Sequence, residues 1–184
     1  MHDHLSNDQD PREVQALQRD VTLLADHLAA AEIEILWLAA VRDVAGFGAD
    51  GVAPSGSDWL AMIADGCTRW LTGRSLPRAG VSAADAGSAA VQDELRDLVL
   101  HEIAVFDREA GTMNRWRDEG LFDALRRCTR ECPPDLGFRF LMRIAHGLPQ
   151  QVSPDQYRRL VPLGQALGCG DYVVSDLEYL VGQR

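Results

Sequence analysis

A turn-and-cap pattern occurs twice in the chain, and it restricts the fold to helices joined by glycine turns. In each copy an apolar helical stretch ends at a glycine, and a proline then opens another helix. The first copy reads Ala49-Asp50-Gly51-Val52-Ala53-Pro54, and the second reads Ala145-His146-Gly147, then Val152-Ser153-Pro154-Asp155. Glycine ends helices because it adopts the left-handed conformation without strain, and proline suits the first helical turn. The repetition predicts two related helical hairpins.

The rest of the sequence also has a helical period. Apolar residues recur at intervals of three and four along most of its length, and no alternating apolar runs flank a hairpin turn. We therefore predict an all-α fold, a bundle of seven to eight helices, in a single domain over residues 11–184. Residues 1–10 are polar, which predicts a mobile tail. The Gly-, Ala-, Ser- and Pro-rich stretch at 73–88 predicts a flexible connection.

Several helix starts carry capping signals. Asp10 precedes Pro11, Ser57 is a candidate cap for the helix containing Trp59, and Ser153-Pro154-Asp155-Gln156 has the form of a capping box. A long acidic helix follows the flexible connection. We expect its apolar residues to face inward, namely Val91, Leu95, Leu98, Val99, Ile103 and Phe106.

The first helix carries a narrow apolar seam from Val14 to Leu28. Such a seam, sustained over two heptads, is typical of a helix that packs against another helix. The sequence leaves open whether that partner belongs to the same chain. One possibility is a homodimer through residues 14–28, and another is docking to a protein partner.

Charge and hydropathy exclude some classes of partner. The net charge is -10, and nucleic-acid binding depends on a basic surface, so we expect no nucleic-acid partner. The longest apolar stretch, Ile35–Ala40, is too short for membrane insertion. The polar, acidic start of the chain differs from a secretory signal, so a cytoplasmic location is expected. The four cysteines are then expected to be reduced thiols.

The two hairpins resemble the tellurite-resistance TerB-like family, whose helical members consist of two related halves. The family pattern is an apolar helix ending in Ala-Asp-Gly, then a small residue, Ser, Pro and Glu opening the next helix, which Leu-Gly closes. Here Ala49-Asp50-Gly51-Val52 matches the first instance, and Val152-Ser153-Pro154-Asp155 with Ala166-Leu167-Gly168 matches the second. The likeness covers about residues 30–70 and 120–182.

The resemblance implies a divalent-metal site made of the carboxylates in the two turns. The corresponding residues here are Asp50, Asp58, His146 and Asp155. The chain departs from the family pattern, because Pro54-Ser55-Gly56 stands where the first Glu is expected and His146 replaces the second Asp. Each half of the chain therefore keeps about one of the acidic residues of the family pattern, whereas a Ca²⁺ site needs six or more oxygen ligands.

A second arrangement of metal-ligand types lies on the long acidic helix. Glu94, Asp97 and His101 recur at three and four residues, with Glu102 beside them, so they predict an alternative metal site. The Glu-x-x-His motif of a di-metal carboxylate bundle is missing. An ordinary solvated acidic face explains the same residues.

Cys128 and Cys132 are four residues apart, so both thiols fall on one helix face. They are candidates for soft-metal binding or for a redox pair. Buried, unreactive cysteines are the simpler interpretation, because Cys67 and Cys169 are isolated and provide no second Cys-x-x-Cys pair for zinc.

No phosphate loop, nucleotide-binding glycine motif or nucleophile elbow occurs in the sequence. The leading hypothesis is a non-enzymatic helical protein-interaction module of TerB-like type, acting in a stress-response or regulatory assembly with a divalent cation as modulator. One alternative is a small helical metalloenzyme that uses Glu94, Asp97, His101 and Glu102. Another is a dedicated chaperone or binding partner of one cellular enzyme.

Overall fold

The computed structural model describes residues 10–41, 54–72, 89–110, 119–146, 152–175 and 177–181. Within these ranges the chain forms eight α-helices, so the all-α prediction is confirmed. The predicted flexible connection at 73–88 and residues 1–9 of the predicted tail lie outside the described ranges. None of the helices in these ranges is both long enough and apolar enough to cross a membrane.

The helices follow one another with short connections wherever both ends are described. They are α1 (Pro11–His27), α2 (Ala30–Ala40), α3 (Gly56–Leu71), α4 (Ala89–Glu109), α5 (Leu121–Glu131), α6 (Pro134–Ala145), α7 (Pro154–Ala166) and α8 (Asp171–Ser175). A 3-10 turn over Glu178–Leu180 follows α8. Val152 and Val181 form an isolated parallel bridge, in which the Val152 N–H donates to the Leu180 carbonyl at 3.0 Å.

Two of the predicted caps are in place. The Asp10 carboxylate accepts a hydrogen bond from the Arg12 N–H at 2.9 Å, and Ser153 Oγ accepts one from the Gln156 N–H at 3.1 Å. Each cap satisfies one of the N–H groups that a helix start leaves without an intrahelical partner. Proline follows the cap in both helices, as the sequence predicted.

Two other details of the helix starts differ from the prediction. Ser55, not Ser57, caps α3, because its Oγ accepts from the Asp58 N–H at 3.1 Å. The reciprocal half of the capping box at Ser153 is not formed. The Gln156 side chain turns into the core instead, where it is buried and neither of its amide atoms has a hydrogen-bond partner. With its methylene groups buried, the Gln156 side chain does not reach back to accept a hydrogen bond from the Ser153 N–H.

The apolar seam of α1 packs within the chain. Val14, Val21, Leu24 and Leu28 are all at least 94% buried, and α1 packs chiefly against α3. Val14 contributes to a small cluster with Cys67 and Trp70 of α3, and the other three join the main core. The seam predicted as a homodimer interface through residues 14–28 is therefore an intramolecular contact. Of the packing partners that the sequence left open, these four residues contact one within the same chain.

The remaining core lies between α2, α4, α5, α6 and α7. Its largest fully buried side chains include Phe106, Phe138 and Leu141. Helices α5 and α6 approach closely at Gly137, where an added Cβ would lie 2.2 Å from Thr129 Oγ1 and 3.1 Å from Thr129 Cα. Only a residue without a side chain fits at this crossing, so Gly137 fixes the distance between the two helices.

Ion pairs connect helices that are distant in sequence. Asp20 of α1 is 96% buried and accepts hydrogen bonds from Arg19 at 2.9 Å and from Arg139 of α6 at 2.7 Å. Glu102 of α4 is also almost fully buried and pairs with Arg159 of α7. A buried carboxylate needs such partners because its desolvation costs several kcal/mol.

Candidate functional site

The residues of the predicted TerB-like metal site lie in separate local environments. Asp58 is exposed in the first turn of α3 and accepts a hydrogen bond from Ser55 Oγ at 2.8 Å. Asp155 is exposed in the first turn of α7 and pairs with Arg158. His146, at the end of α6, has its Nδ1 2.8 Å from the Met142 carbonyl oxygen and its ring 5.6 Å from that of Tyr179. Asp50 lies outside the described residues.

Among the residues that the structure describes, no three His, Cys, Asp or Glu side chains come together in a group able to hold a metal ion. This holds for Asp58, His146 and Asp155, and equally for the alternative set on α4. A site that Asp50 completes stays a prediction, because the position of Asp50 is not described.

The alternative set on α4 is divided between two sides of the helix. Glu94, Asp97 and His101 are exposed, whereas Glu102 is 97% buried. Both carboxylate oxygens of Glu102 accept from Arg159, at 2.6 Å from Nε and 3.2 Å from Nη2. This hydrogen bond raises the pKa of the Arg159 guanidinium above its usual value, against the opposing effect of burial. Glu102 therefore acts as an interhelix anchor.

The solvent side of α4 combines apolar and acidic residues. Val91, Glu94, Leu98 and His101 follow one another at intervals of three and four, and Asp97 lies next to them. Val91 and Leu98 are each 47% exposed, although they are large and apolar. The opposite side of the helix, with Leu95, Val99, Ile103 and Phe106, is buried in the core. We refer to Val91, Glu94, Asp97, Leu98 and His101 as the α4 outer face.

The exposure of Val91 and Leu98 corrects the prediction that all six apolar residues of this helix face inward. The sequence contained a signal for the exposure of Leu98. Leu98 and Val99 are adjacent, and successive residues of a helix point about 100° apart. Only one of them fits the centre of the buried face, and Val99 occupies that place with no exposed surface.

A shallow apolar hollow lies where α1, α2 and α3 meet. The indole rings of Trp37 and Trp59 stack at its edge, with centroids 4.2 Å apart, and Leu28 and Phe140 contribute to its lining. Its interior holds about 20 Å³, which is enough for one water molecule. Small-molecule sites are commonly about 300 Å³ or larger, so this hollow does not suit a metabolite.

Cys128 and Cys132 lie in the core at the end of α5. The interaction with Cys132, reinforced by burial, raises the pKa of Cys128 well above its usual range. The interaction with Cys128 lowers the pKa of Cys132, against the opposing effect of burial. Burial raises the pKa of both Cys67 and Cys169. Cys132 is thus the cysteine best suited to form a thiolate.

Comparison with known proteins assigns the chain to no family. The chain matches no family model, no curated protein and no solved structure. The two features of the described residues that suggest a function are the α4 outer face and the cysteine pair.

Proposed function

We propose that the chain is a helical protein-interaction module and that the α4 outer face is its docking surface. The observation that supports this is the exposure of Val91 and Leu98 on one side of an otherwise well-packed helix. Large apolar side chains grouped on a surface and surrounded by polar residues are typical of a protein-binding patch. Burying the exposed part of each would contribute about 1 kcal/mol to binding.

The charges around Val91 and Leu98 indicate which kind of partner would bind there. Glu94 and Asp97 flank Leu98 on the solvent side, and both are exposed. The chain as a whole carries a net charge of -10, which attracts cationic partners over long range. The complementary ligand is a basic amphipathic helix, with apolar residues that cover Val91 and Leu98 and Arg or Lys residues that reach the carboxylates.

A synthetic helical peptide with leucines on one side and arginines on the other tests this docking surface. We expect Leu98→Ser to weaken its binding about five- to tenfold, since the variant loses apolar contact worth about 1 kcal/mol or more. Glu94→Gln should weaken binding about threefold and reduce its salt dependence. Fluorescence anisotropy of the labelled peptide measures both changes.

Matched variants elsewhere on the surface distinguish peptide binding at the α4 outer face from nonspecific attraction to the net negative charge. Glu13→Gln on α1 removes the same charge from an exposed position, and Ala61→Ser on α3 places the same side chain on another exposed helix face. Neither should change binding appreciably. If Glu13→Gln weakens binding as much as Glu94→Gln does, the peptide follows net charge alone and the proposed docking surface is wrong.

The TerB-like resemblance adds a metal-dependent component to the proposal. From it we propose that the module acts in a stress-response or regulatory assembly with a divalent cation as its modulator. We expect millimolar Ca²⁺, Mg²⁺, Mn²⁺ or Zn²⁺ to raise the melting temperature, because a ligand that binds only the folded state stabilises it. Asp50→Ala should abolish the rise, whereas Asp65→Ala, which removes an exposed carboxylate of α3, should not. An unchanged melting temperature with all four metals would refute this component.

A further inference from the structure

The cysteine pair has a geometry that is independent of the docking surface. Cys128 is in the last turn of α5, and Cys132 is the residue that caps its C-terminus. The Cys132 N–H donates to the Cys128 carbonyl at 2.9 Å, so one intact helical turn separates them. Residues separated by one turn have Cα atoms about 6 Å apart. This lies within the range of about 4.4 to 6.8 Å that disulfides span.

The backbone at Cys132 gives the pair the freedom to join. Its dihedral angles, φ -112° and ψ 171°, are extended, so its side chain is not held in the direction that a regular helix imposes. Both cysteine side chains are buried in the same hydrophobic core. A disulfide requires the Cβ atoms to come to about 4 Å. The shift needed to join the sulfurs is confined to the end of the helix.

We propose that Cys128 and Cys132 form a reversible dithiol–disulfide pair that a hydroperoxide oxidises. The Cys132 thiolate attacks the peroxide, the O–O bond breaks, and the leaving alkoxide or hydroxide takes up a proton as alcohol or water. The Cys132 sulfenic acid that results is then attacked by the Cys128 sulfur, which releases its proton and the sulfenic hydroxyl as water. Two thiols lose two electrons in total, and the peroxide gains them.

The surroundings explain why Cys132 is the attacking group and why the reaction is gated. The interaction with Cys128 lowers the pKa of Cys132, although burial and the nearby carboxylates of Glu131 and Asp20 oppose this shift. Cys128 has no exposed surface and Cys132 has 2%. Oxidation therefore requires the last turn of α5 to open, and helix ends open at lower cost than the whole domain unfolds. A small dithiol reverses the reaction by thiol–disulfide exchange.

Peptide mapping of the native wild-type protein after treatment with hydrogen peroxide tests the proposal. Arg130 lies between the two cysteines, so trypsin separates them unless a disulfide joins the fragments. We expect a linked pair made of the tripeptide Cys128–Arg130 and the peptide Glu131–Arg139, which dithiothreitol converts to the free peptides. Two of the four thiols should be lost as the linked peptides appear.

Two serine variants identify the residues involved. Cys169→Ser should leave the linked peptides unchanged, whereas Cys132→Ser should abolish them and leave Cys128 as a thiol. The wild-type map decides the question even if Cys132→Ser fails to fold. The proposal is overturned if the native protein keeps all four thiols at a peroxide concentration that oxidises the unfolded chain. It is equally overturned if Cys169 reacts while Cys128 and Cys132 stay reduced.

Discussion

Replacing Arg159 by methionine is expected to lower the free energy of unfolding by about 3 kcal/mol, although Arg159 itself is about half-exposed. The variant leaves the Glu102 carboxylate 97% buried without the guanidinium that now binds both of its oxygens. An unpaired buried charge costs more than the ion pair contributes, because its desolvation is no longer offset. Urea unfolding, followed by circular dichroism, measures the loss.

The neighbouring residue provides a matched control. Arg158 pairs with Asp155 on the surface, where both side chains are 75% exposed. Arg158→Met should change stability by at most about 0.5 kcal/mol, since exposed pairs contribute little. The double variant Glu102→Leu/Arg159→Met should recover most of the stability that Arg159→Met loses, because it leaves no buried charge. Equal losses at positions 158 and 159 would show that Glu102 does not depend on its partner.

Gly137→Ala is expected to destabilise the protein by about 2 to 3 kcal/mol. The new methyl group would lie 2.2 Å from Thr129 Oγ1, and that hydroxyl cannot move away freely because it is buried and donates to the Leu125 carbonyl at 2.9 Å. Helices α5 and α6 would have to separate, which loosens the core between them. Thermal and urea unfolding of the variant measure the effect.

Two further variants show whether the effect comes from this contact. In a Thr129→Ala background, Gly137→Ala should cost about half as much, because Oγ1 is gone while Thr129 Cα still lies 3.1 Å away. Gly66→Ala on α3 meets nothing within 4 Å and should stabilise the protein by about 0.5 to 1 kcal/mol through helix propensity. A destabilising Gly66→Ala, or no coupling between positions 129 and 137, would contradict this explanation.

Local signals predicted the helices well because they act within a few residues. Asp10 and Ser153 cap helices where the sequence placed them, each followed by a proline at the first turn. The same kind of signal was less decisive where two candidates stood close together. Ser55 and Ser57 are equally able to cap, and the structure uses Ser55, next to Gly56, which packs against α2.

Long-range packing was not accessible from the sequence. Glu102 pairs with a residue 57 positions away, and no local pattern distinguishes it from the exposed acids on the same helix. The seam of α1 has the pattern of an interface, but periodicity alone cannot tell an internal partner from an external one. On α4, the adjacency of Leu98 and Val99 was the one signal that both could not lie at the centre of the buried face.

The bridge between Val152 and Val181 has a consequence for synthesis of the chain. It ties the residues just before α7 to those just after the 3-10 turn, so α7 and α8 lie within a loop closed by the main chain. That loop cannot close until residue 181 has left the ribosome. Helices α1 to α3 can pack earlier, because α1 makes most of its contacts with α3. Closure of this loop can therefore follow the packing of α1 to α3 during synthesis of the chain.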